Sequence, residues 1–289
     1  MRLIRQTAFA LTFLPACLGL AQGNFDNVTI KTTPVAGDVH MLEGAGGNIG
    51  VCIGSDGVLI VDTQFAPLAP KIEAALKRLG DGKLHYVLNT HWHGDHTGGN
   101  EFFGKQGTVI AHDNVRRRLT EKTNPAVAPE GLPDITHDQG LTLHFNGETI
   151  RVVSLPPGHT DGDCYVYFTK SKVLHLGDQF FNGKFPFIDL GSGGEVAGYV
   201  RNVETALKLA PPDAKIIPGH GPLATVDDLR RFRDMLVETT GIVRKAIEAG
   251  KTLDQVKEAG LPEKWKDWGT GFINTSRWLE ITYNSLKAK

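Results

Sequence analysis

The stretch NTHWHGDHTGGN, Asn89 to Asn100, places His91, His93, Asp95 and His96 within six positions of a chain that has only 11 histidines in 289 residues. Imidazole nitrogens together with a carboxylate suit zinc and, less selectively, iron or manganese. His91 and His93 would face one side if the preceding strand continued. A turn at Gly94 brings Asp95 and His96 back to the same point. A metal site built here needs ligands from elsewhere, so the fold must carry distant strand ends to this loop.

The apolar pattern supplies such strand ends. VTIKT, VHMLEG, NIGVCIG and GVLIVDT, from Val28 to Thr63, read as a strand meander with a hairpin at Asp56-Gly57. An amphipathic helix over 68–80 follows, with Ile72, Ala75, Leu76 and Leu79 on one face and Gly80 as its stop. LHYVLNT is the strand that leads into the histidine loop. GTVIAH and DNVRRRLTEK give a further strand and helix, and the Pro-rich stretch 124–134 reads as a loop. The second half repeats the plan: strands LTLHF, ETIRVVSL, CYVYFT and VLHLGD, a helix near 196–210, the strand AKIIPGHG, and helices near 225–249, 252–259 and 274–287. Two blocks of strands then helices predict a single α/β domain in which two sheets pack together with helices outside.

Three strand ends carry ligand-type residues: His159 in LPPGHTDGD, Asp178 in VLHLGDQ and His220 in IIPGHGP. Glycine and proline around each let the backbone turn tightly at a crowded centre. The ordered set THWHGDH, PPGHT, LGD and PGHGP closely resembles the metallo-β-lactamase superfamily, over most of the chain from GVLIVDT to PGHG. The resemblance implies an αββα four-layer sandwich with a two-metal site on one edge. It implies that His91, His93 and His159 hold the first metal, Asp95, His96 and His220 the second, and that Asp178 bridges them. Asp62 matches the superfamily's buried structural aspartate and is expected to organise the histidine loop rather than to ligate. An aspartate at 178 departs from the lactamases that place a cysteine ligand nearby and is similar to glyoxalase II-like thioesterases and lactonases.

Two zinc ions, with iron or manganese as substitutes, can share a hydroxide because bound water has its pKa lowered toward about 7. The expected function is therefore an exported dinuclear zinc hydrolase that opens an amide, ester or lactone bond of a small molecule, of β-lactamase, lactonase or thioesterase type. Asp95 is the catalytic residue that would orient the hydroxide. A mononuclear iron persulfide dioxygenase on the same fold is the alternative, and a noncatalytic metal-binding module ranks below both. No G-x-S-x-G elbow or Walker loop competes.

Around these motifs, GAGGNIG (44–50) is expected as a flexible flap over the site. Phe180, Phe181, Phe185 and Phe187 are expected as an apolar wall, with Lys184 as a carboxylate-binding group. Trp265, Trp268 and Trp278 are expected in helix packing. His40, His85 and His175 are read as structural, His112, His137 and His144 match no motif element, and Ser154 and Thr160 are read as hydrogen-bonding loop residues.

At the start, MRLIRQTAFALTFLPACLGLAQG has the order of a secretory signal peptide, residues 1–21, leaving a hydrolase domain over 22–289. Its apolar run is shorter than the roughly 20 residues that span a bilayer, so no stable membrane insertion is expected after cleavage. The expected location is periplasmic or secreted, with a lipid anchor at Cys17 as the alternative. Cys52 and Cys164 lie in apolar runs and read as small buried hydrophobes. The 31 basic and 32 acidic residues are interspersed, which excludes a nucleic-acid partner. The oligomeric state is left open.

Overall fold

Gly57–Val61, GVLIV, is buried at every position, which requires apolar partners on both faces of its sheet. The structure, a computed structural model, describes residues 25–123 and 125–288. The signal peptide and the Cys17 anchor lie outside them. One sheet runs in chain order through β1 (Lys31–Ala36), β2 (Val39–Glu43), β3 (Ile49–Gly54), β4 (Gly57–Val61), β5 (Leu84–Leu88), β6 (Thr108–His112) and β7 (Ile135–His137). The other contains β8 (Leu141–Phe145), β9 (Glu148–Ser154), β10 (Cys164–Phe168), β11 (Val173–His175), β12 (Lys215–Ile217) and β13 (Ala224–Thr225). Its order is β13-β12-β11-β10-β9-β8.

Alternation along each strand builds the layers. Leu59 and Val61 of β4 pack against Val152, Val166 and Ile217 of the second sheet. Val58 and Ile60 turn the other way onto Ile72 and Ala75 of α1 (Ala69–Leu79). In β10, Cys164, Val166 and Phe168 enter the core between the sheets, while Tyr165 faces the outer helices. The result is the αββα four-layer sandwich, with apolar cores between the sheets and beneath the helices on each side.

The remaining helices are one-turn α2 (Gly94–Thr97) and α3 (Asn100–Phe103), then α4 (Asp113–Glu121), α5 (Val196–Leu209), α6 (Val226–Glu248), α7 (Leu253–Ala259) and α8 (Thr275–Lys287). α6 opens on a capping box in which Thr225 and Asp228 satisfy each other's backbone N–H groups. Trp265, Trp268 and Trp278 are buried in the helical layer, with Trp278 stacked on Phe185 at 5.8 Å.

Several boundaries differ from the sequence expectation. The first strand starts at Lys31 rather than Val28 and runs through Pro34, which an edge strand tolerates because its missing N–H can face outward. The strands of VLHLGD and AKIIPGHG stop at His175 and Ile217, before their ligand residues. β7 and β13 are short edge strands that the apolar pattern does not announce.

β4, β5 and β6 are mutually parallel. β9 and β11 both run antiparallel to β10, and β12 runs parallel to β11. The loops that leave β5, β9, β11 and β12 at their C-terminal ends carry every residue singled out as a metal ligand, and the loop after β4 carries Asp62.

Candidate metal centre

Two groups of side chains converge at this edge. In the first, His91 Nε2 lies 3.1 Å from His93 Nδ1, which lies 2.9 Å from His159 Nε2. In the second, His220 Nε2 lies 3.4 Å from His96 Nε2 and 3.3 Å from Asp95 Oδ2. Asp178 sits between them. Its Oδ2 is 3.4 Å from His159 Nε2 and 3.8 Å from His91 Nε2, while its Oδ1 is 3.0 Å from His96 Nε2 and 3.2 Å from His220 Nε2. The structure thus gathers all seven sequence-selected residues, His91, His93, His159 and Asp178 in one group and Asp95, His96 and His220 in the other.

This arrangement fits a pair of cations. Ligands about 2.05 Å from a tetrahedral ion stand about 3.3 Å apart, close to the spacings within each set. Asp178 Oδ1 is buried and lacks an aligned hydrogen-bond donor despite its histidine neighbours, an orphan that a buried carboxylate oxygen seldom is without an ion.

Four of the five histidines, His91, His93, His96 and His159, present a defined nitrogen because the other nitrogen is held. His96 Nδ1 lies 2.7 Å from Asp62 Oδ2, and His159 Nδ1 lies 2.7 Å from the Phe187 carbonyl. His91 Nδ1 lies 3.1 Å from Thr90 Oγ1, whose hydroxyl donates to Asp62 Oδ2 at 2.7 Å. His93 is turned the other way, with Nε2 on Asp189 Oδ2 at 3.0 Å and Nδ1 inward. Such outer partners fix tautomer and ring orientation. Asp62 also accepts from the Thr90 backbone N–H, and it holds φ +68°, the turn that carries β4 toward the site. Asp189 was not legible as a partner. Its only sequence signal is an aspartate followed by Leu-Gly-Ser, a turn in which it accepts from the Ser192 N–H.

The charges divide unequally between the sets. Burial pushes the His159 imidazole down to about 4 against the pull of Asp178, and burial with neighbouring His96 and His159 holds His91 well below its ordinary range. Both are neutral and ready to donate lone pairs. In the second set, burial opposes protonation but Asp178 outweighs it, helped by Asp95, raising His220 to about 9. His96 is raised well above its ordinary value because Asp178, Asp95 and Asp62 overcome the same burial penalty. Asp178 is held well below the usual carboxylate range, since His220, His96 and His159 outweigh its desolvation, and Asp95 falls to about 2 against its burial through His96 and His220. Behind the centre, burial raises Asp163 to about 7 although Thr160 donates to it through both N–H and hydroxyl.

The surroundings give three further groups of residues a definite place. GAGGNIG is not a free flap. Gly47 N–H donates to the Asp95 carbonyl at 3.0 Å, Asn48 N–H to the Gly219 carbonyl at 2.7 Å, and Asn48 Nδ2 to Pro218 and Gly221. A Cβ at Gly47 would collide with the His96 ring, so this loop forms a wall of the site that only glycine can build. Of the phenylalanine wall, Phe180 and Phe185 are core residues. Phe181 stacks on His220 at 4.9 Å, and Phe187 lies 5.9 Å from His93 and 6.0 Å from His159. The Lys184 ammonium meets Thr270 Oγ1 and its stem lies along Gly271, so it braces the C-terminal segment.

Other histidines stand apart from the seven. His175 is buried in β11, with Nε2 on the Asn48 carbonyl at 3.0 Å. His137 pairs with Ser154 Oγ at 3.0 Å. Cys52 and Cys164 are free and buried. No helix among the described residues is long and apolar enough to cross a membrane.

Known proteins bear out the fold. The solved structure of a metallo-beta-lactamase from Pontibacter korlensis superposes with a TM-score of 0.61 at 18% identity, over 72% of this chain and 99% of that one. A sec-alkylsulfatase from Pseudomonas sp. gives 0.66 at 16% identity, over 88% and 50%. By sequence, a lactamase-like protein of Emericella nidulans is 28% identical over 215 residues, 70% of this chain and 62% of its own length. A hydroxyacylglutathione hydrolase of Brucella anthropi is 35% identical over 133 residues, 43% of this chain and 46% of the enzyme. The matched region thus spans between about half and two-thirds of these two relatives. The sequence model of the metallo-beta-lactamase superfamily matches residues 42–220, more than half of the chain and the whole run from β2 to the last metal-type histidine. With its sandwich fold and its His/Asp metal-binding cluster, the chain belongs to the metallo-β-lactamase superfamily.

Proposed function

We propose that this protein is a dinuclear zinc hydrolase that cleaves an amide, ester, lactone or thioester bond of a small molecule. His91, His93 and His159 would hold one ion, Asp95, His96 and His220 the other, with Asp178 shared. The observation that carries the reading is the division of Asp178, one oxygen facing each nitrogen set. The hydroxyacylglutathione hydrolase relatives support hydrolysis, and a donor set of imidazoles and carboxylates without thiolate is compatible with zinc and also with iron or manganese.

When bound, the cations supply a water that ionises near neutral pH and a Lewis acid for the acyl oxygen. The chain's own residues do the rest. Asp95, whose carboxylate stays ionised down to about pH 2, accepts a hydrogen bond from the attacking water and orients it. Asp62, Asp189, Thr90 and the Phe187 carbonyl hold the imidazoles so that no reorganisation is needed as charge develops. Phe181 and Phe187 keep bulk water from the flanks of the site. The leader-like residues 1–21 support export to the periplasm.

Metal analysis of the purified protein tests this reading, together with a hydrolysis screen of nitrocefin, an acyl-homoserine lactone, lactoylglutathione and aryl esters. Two zinc per chain and activity lost on chelation and regained with zinc are expected. Full hydrolysis after chelation, or oxygen uptake with a persulfide in place of hydrolysis, would overturn it.

A further inference from the structure

Four large apolar side chains are exposed among the described residues: Ile135, Leu190, Val237 and Phe272. Phe272, at 77% the most open, belongs to the surroundings of the metal centre. Its ring meets Phe187 edge to face at 6.2 Å, and Phe187 in turn flanks His93 and His159. Leu190 directly follows Asp189, the residue that holds His93. Exposed apolar groups gathered beside a reactive centre mark ligand contact more often than scattered ones do.

The segment that presents Phe272 is anchored. Phe185 N–H donates to the Trp268 carbonyl at 3.0 Å, Lys184 donates to Thr270 Oγ1, the Lys184 stem covers Gly271, and Ile273 is buried. A phenyl ring held out into water on a fixed base loses little freedom when it closes on a ligand. The neighbouring guanidinium groups are meanwhile engaged within the protein: Arg118 makes two bonds of 2.7 Å to Asp161, and Arg117 adds another to the same carboxylate.

We infer that the substrate carries a neutral hydrocarbon or aryl group beside its scissile bond, packed against the surface that Phe187 and Phe272 form together, and that Phe272 sets the preference for it. This rests on the hydrolase reading above. It selects apolar esters or lactones, in which water adds across the acyl C–O bond to give acid and alcohol, over substrates whose carboxylate needs a free guanidinium here.

Two ester series test the inference on the zinc-loaded protein: p-nitrophenyl esters from acetate to octanoate, and alkyl acetates from methyl to octyl. At least one series should show kcat/KM rising about tenfold or more with chain length. Phe272→Ala should lower the long-chain value about tenfold more than the short-chain value, and Phe272→Trp should restore the difference. Val237→Ala, at an equally apolar exposed position on α6, should leave the ratio as it is. Hydrolysis that is flat with length in both series, or a ratio preserved in Phe272→Ala, would overturn the inference.

Binding of the neutral fluorescent probe N-phenyl-1-naphthylamine to zinc-free protein gives a separate readout. If no ester is cleaved, this titration alone decides the inference, and the hydrolase reading falls only if nitrocefin, the lactone and lactoylglutathione are left intact as well. Binding weakened about tenfold by Phe272→Ala supports the aromatic surface, and binding indifferent to it overturns it.

Discussion

Replacing Asp62 by asparagine should weaken metal binding while sparing the metal-free fold. Asp62 is fully buried and accepts three hydrogen bonds, from the Thr90 N–H, the Thr90 hydroxyl and His96 Nδ1. Asparagine keeps the size and tolerates the φ of +68°, so backbone strain is not introduced. If the new amide oxygen keeps the Thr90 N–H, its NH2 faces His96 Nδ1. Without metal, His96, which Asp62 no longer helps to keep doubly protonated, adapts by giving up its Nδ1 proton and keeping the one on Nε2. With metal on Nε2, Nδ1 must carry the proton, and two donors then oppose each other. Flipping the amide only transfers the opposition to the Thr90 N–H. Either way the metal-bound state alone carries a buried unsatisfied donor, a cost of about 1–3 kcal/mol. That is about tenfold to hundredfold in affinity, the usual size of an outer-partner effect. The Thr90 hydroxyl links Asp62 to His91 as well, so the first set should weaken less than the second. Competition against a chromophoric zinc chelator reads the two affinities, and thermal melting of zinc-free protein reads the fold. Unchanged affinity at both sites, or a loss of metal-free stability without a loss of affinity, would refute the reasoning.

The metal-free protein should be most stable near the ordinary histidine pKa and weaken on both sides. His159 is depressed to about 4, so the unfolded chain takes up its proton first and stability falls as pH drops from about 6.5 toward 4. His220 is raised to about 9, so its contribution is complete below about 6.5 and is lost as pH rises through about 9. Urea midpoints across pH 4–10 on zinc-free protein check both flanks, and zinc should remove the alkaline one. Trp278→Ala should cost about 3–5 kcal/mol, because a fully buried indole leaves a cavity beside Phe185 and Thr239 loses the Nε1 donor at 3.0 Å. A lowered denaturation midpoint with unchanged zinc stoichiometry is the expected pair of results.

How far the sequence could be read depended on whether a feature was local. The histidine loop and the ligand at each strand end were legible because imidazole and carboxylate declare their chemistry, and the glycines around them declare tight turns. The two-sheet plan was legible because Val58 to Val61 and Cys164 to Phe168 are apolar on both faces. The outer partners were not. Asp189 reaches His93 across nearly a hundred residues, and no pattern around Asp-Leu-Gly-Ser says which side chain it meets. The rigidity of GAGGNIG was hidden for the same reason. Glycine runs signal freedom in the unfolded chain, and only the His96 ring against Gly47 shows that here they serve close approach. The contact of Lys184 with Thr270 was hidden too, because its partner lies 86 positions away.

Metal removal should loosen one edge of the molecule and leave the body intact. Each metal set draws on both sheets: His91, His93, Asp95 and His96 come from the loop after β5 in the first, and His159, Asp178 and His220 from loops of the second. Ions bound there cross-link the two sheets. They stabilise the folded state by mass action, about 4 kcal/mol at a thousandfold excess over Kd. The sheets do not depend on that link elsewhere. Leu59, Val61, Val152, Val166 and Ile217 hold them together with no metal involved. Hydrogen exchange should therefore accelerate on chelation at Asn48, Thr90 and Gly219, whose N–H groups tie the site loops together, while Val166 and Leu59 exchange only with global unfolding. Equal acceleration at Val166 and at Thr90 would mean that the metals hold up the whole sandwich, and the division of labour between apolar core and metal edge would be wrong.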